Sequence, residues 1–68
     1  MRIQMDTSIL RRVFVANTQQ EFTAAVLSMG GSDKDHRAVV RAWQRLQAGD
    51  SGFTATWQHS RRTLTAVR

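Results

Sequence analysis

The stretch FTATWQHSRRTLTAV, Phe53 to Val67, decides the fold class. Phe53, Ala55 and Trp57 alternate with Thr54, Thr56 and Gln58, and Thr63, Leu64, Thr65, Ala66 and Val67 alternate again. That is the period of strands with one dry face, so the stretch reads as a β-hairpin with strands near 53–58 and 63–67. Two registers keep Phe53, Ala55, Trp57, Leu64 and Ala66 on one face and the threonines on the other. A two-residue loop, His59-Ser60, pairs Ala55 with Leu64. A four-residue loop, His59 to Arg62, pairs Trp57 with Leu64. Any one-residue slip would mix the faces. The loop lacks the Asn-Gly or Gly of tight primed turns, so the four-residue version is expected. Its tip then displays His59, Ser60, Arg61 and Arg62.

Moving toward the N-terminus, Ser32 is a good helix cap, and Asp33 and Asp35 suit the positive end of a helix dipole. Val39, Val40, Trp43, Leu46 and Gln47 then fall on one side, with Lys34, Arg37, Arg41 and Arg45 on the other. An amphipathic helix is expected over 32–47, ended by Ala48-Gly49-Asp50-Ser51-Gly52. Before it, Thr18-Gln19-Gln20-Glu21 has the spacing of a capping box. Phe22, Ala25, Val26 and Met29 follow on one face and Gly30-Gly31 supplies a stop, which predicts a second helix over 18–29. The N-terminal segment is ambiguous. Ile9, Leu10, Val13 and Phe14 would suit a short helix capped by Thr7 or Ser8. Residues 12–16 are β-branched and aromatic, Ile9, Val13 and Val15 share one strand face, and Ile3 and Met5 alternate, so a strand is preferred.

The expected fold is therefore a single α+β domain spanning 1–68: an N-terminal strand (or short helix), two consecutive helices, and a C-terminal hairpin packed on them. The order helix, turn, helix, hairpin is also that of a winged helix-turn-helix domain, with helix 32–47 in the major groove and the hairpin as the wing. Against specific base reading, Asp33 and Asp35 would face phosphates or base edges in the first turn of that helix.

Length and charge narrow the function. With 68 residues the chain is one domain with a small core, too short for a dinucleotide-binding fold. It has no Cys, so disulfides and thiolate metal sites are excluded. No apolar run approaches the roughly 20 residues of a membrane span, and MRIQMD has no signal-peptide core, so a cytoplasmic protein with no membrane partner is expected. Ten Lys and Arg stand against five Asp and Glu, a formal net charge of +5. Residues 1–35 are neutral, with Arg2, Arg11, Arg12 and Lys34 against Asp6, Glu21, Asp33 and Asp35. Residues 36–68 hold Arg37, Arg41, Arg45, Arg61, Arg62 and Arg68 against Asp50 alone.

An exposed helix face is ordinarily charged and simply solvated, and Arg usage alone identifies no partner. Arg37, Arg41 and Arg45, however, make a line about 12 Å long at 1.5 Å per residue, which can follow a phosphate backbone. Arg61 and Arg62 at a hairpin tip would add wing contacts. Trp43 and Trp57 lie on apolar faces and are expected in the core, although Trp57 beside Arg62 could stack a base. His36 and His59 with scattered acids do not make a zinc set, and Ser32 near His36 forms no nucleophile–base–orienter group. No cofactor, metal, small-molecule substrate or catalytic residue is expected. The threonine face, Thr54, Thr56, Thr63 and Thr65, is either a solvated sheet surface or a surface for homodimer formation by strand pairing.

The leading expectation is a non-enzymatic, regulatory nucleic-acid-binding module using Arg37, Arg41, Arg45, Arg61 and Arg62. The alternative is a protein-interaction module or inhibitor that docks the same residues on an acidic partner. In length and charge the chain resembles compact accessory proteins of phages and plasmids, and no residue motif carries that likeness.

Overall fold

The computed structural model describes residues 1–67. Its elements are β1 (Arg2–Asp6), β2 (Arg11–Val15), α1 (Gln19–Ser28), a 3₁₀ turn (Asp33–Asp35), α2 (His36–Gln47), β3 (Phe53–Trp57) and β4 (Ser60–Val67). The strands form one antiparallel sheet in the order β2-β1-β4-β3. Among the described residues no helix is long and apolar enough to cross a membrane.

The N-terminal segment is two strands where one was expected. The helix reading of residues 9–16 fails because Thr7 caps a turn: its Oγ1 accepts the Leu10 N–H at 3.0 Å and the Ile9 N–H at 3.4 Å. The Thr7 N–H meets the Leu10 carbonyl at 2.8 Å, closing a two-residue Ser8-Ile9 turn. Ile3 and Met5 point inward from β1, as their alternation implies, while β2 turns Phe14 inward and leaves Val13 and Val15 exposed.

Both helices keep close to their expected limits. Thr18 Oγ1 accepts the Glu21 N–H at 3.1 Å, which caps α1, while the Glu21 carboxylate reaches past the cap to the Asn17 N–H at 2.8 Å, so the expected capping box forms only on the Thr18 side. The helix expected over 32–47 opens with the 3₁₀ turn and becomes α-helical at His36. Its end is a Schellman motif: the Asp50 N–H donates to the Arg45 carbonyl at 3.0 Å and the Gly49 N–H to Leu46 at 3.1 Å. Gly49 sits at φ +96°, a conformation that favours glycine.

The C-terminal hairpin exists, but as part of a four-stranded sheet and not as a free-standing unit. β4 pairs with β1 from Thr63 to Val67 as well as with β3, so both ends of the chain share the middle of the sheet. The expected registers are also corrected. The turn is the two residues Gln58-His59, which pairs Trp57 with Ser60, Ala55 with Arg62 and Phe53 with Leu64. Gln58 and His59 have φ of 52° and 57°, the left-handed geometry of a primed turn. Residues with side chains rarely take that geometry, but the Gln58 N–H donates to Asp35 Oδ1 at 3.1 Å, which ties the turn to the helical layer.

The two helices cover one face of the sheet. Phe22 and Val26 from α1 and Val39, Ala42, Trp43 and Leu46 from α2 meet Ile3, Met5, Phe53, Trp57 and Leu64 from the strands. Phe22 is the hinge of the core, with ring centroids 6.0 Å from Phe14 and 5.3 Å from Trp43. The opposite sheet face, which includes the four threonines, Arg2, Gln4, Asp6 and Arg61, carries no helix.

Candidate nucleic-acid interface

The buried stripe Val39, Ala42, Trp43 and Leu46 fixes the rotation of α2 about its axis, and so decides where its arginines point. Arg37, Arg41 and Arg45 are all exposed on the outward side. They differ in what they touch. Arg45 Nε meets Asp50 Oδ2 at 3.1 Å and its guanidinium lies 4.1 Å from the centre of the Phe53 ring. Arg37 and Arg41 form no ion pair among the described residues.

Around Arg37 and Arg41 the surface is a shallow depression lined by Gln19, His36, Val40 and Gln44 as well. Arg41 also borders a groove on its other flank, between α2 and the edge strand β3, with Ala38, Ala42, Arg45, Thr54 and Ala55. Arg41 is thus the crest between two concave surfaces, and neither is lined by a carboxylate. Gln19 and Gln44 were not singled out from the sequence. No local signal links Gln19 to Arg37, because only the packing of α1 on α2 brings them together.

Arg61 and Arg62 do not join this surface. They lie within β4 and not in a loop, so successive side chains leave on opposite faces. Arg61 is exposed beside Thr7, Ser8, His59 and Ser60 on the side of the sheet away from the helices. Arg62 points inward and is only 6% exposed. Its guanidinium stacks 4.6 Å from the centre of the Trp57 ring and donates through Nη1 to the Gly30 carbonyl at 3.4 Å. Burial lowers its pKa, and the nearby Asp35 charge acts in the opposite direction. Arg62 is therefore not at the hairpin tip where it was expected, because the two-residue turn draws it into β4 and under the helical layer. Trp57, stacked beneath it, is buried in the core.

Replacing Arg62 with Ala is expected to cost about 2–3 kcal/mol, from the lost stack and the space left by its aliphatic stem. Arg62→Met keeps most of that packing and is expected to cost less. Urea melts of the two variants check this order, and neither change is expected to alter partner binding.

Asp35 also points away from the expected position against a ligand. Its Oδ2 accepts the Ser32 N–H at 2.9 Å and the Ser32 hydroxyl at 3.5 Å, while Oδ1 takes the Gln58 N–H. The Ser32 backbone bond, then those from Gln58 and the Ser32 hydroxyl and the Arg62 charge, hold its pKa below the ordinary carboxylate value against a smaller desolvation effect. A pKa lower in the folded than in the unfolded chain stabilises the fold above the unfolded value near 4, and that stabilisation is lost as pH falls through the folded value. Asp6, lowered by Gln4 first and then Arg11, acts with the same sign. Asp35→Asn is expected to lower the urea midpoint at pH 7 and to flatten, without abolishing, its fall on acidification. A midpoint with the wild-type pH dependence would refute this role for Asp35.

His36 opens α2 and His59 lies in the β3–β4 turn. Among the described residues no cluster of three or more metal-ligating side chains is present. Comparison of the chain with protein-family models, with curated proteins and with solved structures gave no match.

Proposed function

We propose that the protein binds a nucleic-acid backbone through the outward face of α2, with Arg37 and Arg41 as the principal phosphate contacts. The observation that carries this reading is the state of those two side chains. They are exposed, about 6 Å apart along the helix axis, and without a carboxylate partner among the described residues. Guanidinium forks suit phosphate oxygens, and the Gln19 and Gln44 amides and the His36 ring add groups that can donate to the same backbone. Arg45, held by Asp50 and Phe53, extends the positive surface as a fixed charge. Contact is to phosphate and sugar, without base reading, and Asp33 at the start of the 3₁₀ turn bounds the basic surface.

Titration of a labelled duplex by fluorescence anisotropy tests this. Binding is expected at about 50 mM salt, with log K falling against log salt at a slope of about −2 to −4, as two to four neutralised phosphates require. No binding at that salt sinks the reading. The regulatory role expected from the sequence is part of this proposal and rests on the size of the chain alone.

One observation favours the protein-interaction reading: the groove beside Arg41 and Arg45 runs along the edge strand β3, where an acidic extended segment could add to the sheet. It predicts a stoichiometric partner that stays bound after nuclease treatment.

A further inference from the structure

The large exposed apolar side chains of the described residues are gathered in one place. Ile9, Leu10, Val13 and Val15 are 85%, 53%, 55% and 62% exposed, and all lie on β2 or in the turn before it. β2 is an edge strand. The bonds from Thr7 N–H to the Leu10 carbonyl and from Ala16 N–H to the Met1 carbonyl set the phase of its ladder. In the β1–β2 register, residues 10, 12, 14 and 16 bond to β1, and the main-chain groups of Arg11, Val13 and Val15 point away from the sheet. An exposed apolar edge with free donors and acceptors is a template for another strand.

The other edge is protected. On β3 the same phase argument turns Thr54 and Thr56 outward, and Arg41 and Arg45 stand beside them. Two copies meeting there would bring like charges together. On β2 the arginines are confined to the first two positions, and Arg11 is paired with Asp6 at 2.9 Å, so Val13 to Val15 have no such guard.

We propose that β2 pairs antiparallel with β2 of a second copy, joining two four-stranded sheets into one of eight strands. The strand is self-complementary about Phe14. A two-fold axis through Phe14 places Val13 opposite Val15 of the second copy, twice, on the open sheet face. On the helical face it places Phe14 opposite Phe14 at a non-hydrogen-bonded position, where side chains are closest. Arg12 then faces Ala16 and Arg11 faces Asn17, so no arginine opposes another. An axis through Arg11 or Arg12 would stack like charges, and one through Val13 would set Arg11 against Val15. The pairing closes on itself, because it consumes both β2 edges and leaves only the guarded β3 edges outside. The dimer surface is thus β2 and not the threonine face.

A five-residue edge buries less than the roughly 800 Å² per partner of a standard interface, so a dissociation constant in the micromolar range is expected. Sedimentation equilibrium of the full chain, up to about 500 µM, should show twice the 7.7 kDa chain mass. Val13→Lys with Val15→Lys is expected to restore the monomer, since both positions are exposed and the core is untouched, as an unchanged far-UV spectrum would verify. Thr54→Lys with Thr56→Lys on β3 is expected to leave the dimer intact. A monomeric wild type at the highest concentration, a dimer that survives the valine substitutions, or one lost in the β3 variant overturns the proposal. The chain has no Cys, so Phe14→Cys should oxidise to a covalent pair. A folded Phe14→Cys dimer that stays reduced overturns the register. Duplex binding is not part of either readout.

Discussion

Arg37→Glu combined with Arg41→Glu is expected to weaken duplex binding by about 100-fold at low salt, roughly tenfold for each phosphate contact replaced by a repulsive charge. The double change lowers the net charge of +5 by four, so a loss of affinity could also follow from the overall field. Arg2→Glu with Arg61→Glu makes the same change in net charge. Arg2 and Arg61 lie on the sheet face away from the helices, the first because Ile3 and Met5 beside it point inward. The control is expected to lose less than about tenfold and to keep the wild-type salt slope, whereas the α2 variant loses about two units of that slope. All four residues are exposed, so the fold should survive every substitution. Equal losses in the two variants would show that binding is diffuse and would remove α2 as the interface.

Phe22→Ala is expected to leave the chain largely unfolded near physiological temperature. Phe22 has no exposed surface and lies between Phe14 and Trp43, so it joins β2, α1 and α2 in one contact. Truncating a buried Phe costs about 3–5 kcal/mol, from lost transfer free energy and from the cavity left behind. A chain of 68 residues has a total stability of only about 3–10 kcal/mol at ordinary values per residue. The expected signs are loss of the near-UV signal of the two tryptophans and a urea transition moved to low denaturant or lost. Phe22→Leu fills most of the space and should keep a cooperative transition. A Phe22→Ala chain with a midpoint close to wild type would mean that the core does not depend on this contact. By contrast, Val15→Ala, at a largely exposed position of the monomer, is expected to change stability by less than about 0.5 kcal/mol when measured below the concentration at which copies pair.

Both expectations depend on how α2 is seated, and that was legible in the sequence. Apolar residues at positions 39, 43 and 46 leave one rotation for the helix, which puts Arg37, Arg41 and Arg45 in solvent. What could not be read locally was which other groups share their surface. Gln19 comes from a different helix, Arg61 leaves from the far side of the sheet, and Asp50 holds Arg45 through a helix-end geometry that does not announce its ion pair. Near the N-terminus the alternation of Ile3 and Met5 and the β-branched run over 12–16 were visible, but as one segment of uncertain type. Its division into β1 and β2 depended on a Thr7 side-chain bond that serves a turn as readily as a helix cap.

The sequence by itself determined the features whose causes are local. These are the two helices, from their periodicity and caps, and the inward parity of Phe53, Ala55, Trp57, Leu64 and Ala66, from a period of two. Only the tertiary structure decided the hairpin register. Shifting a strand by two residues preserves which side chains face inward, so the pattern in 53–67 is equally satisfied by several turns. The choice was made from outside the hairpin. Asp35 holds the Gln58 N–H, and Arg62 fits between Trp57 and the Gly30 carbonyl. The same contacts moved Arg62 from the surface to the interior, while Arg37, Arg41 and Arg45 stay exposed on α2.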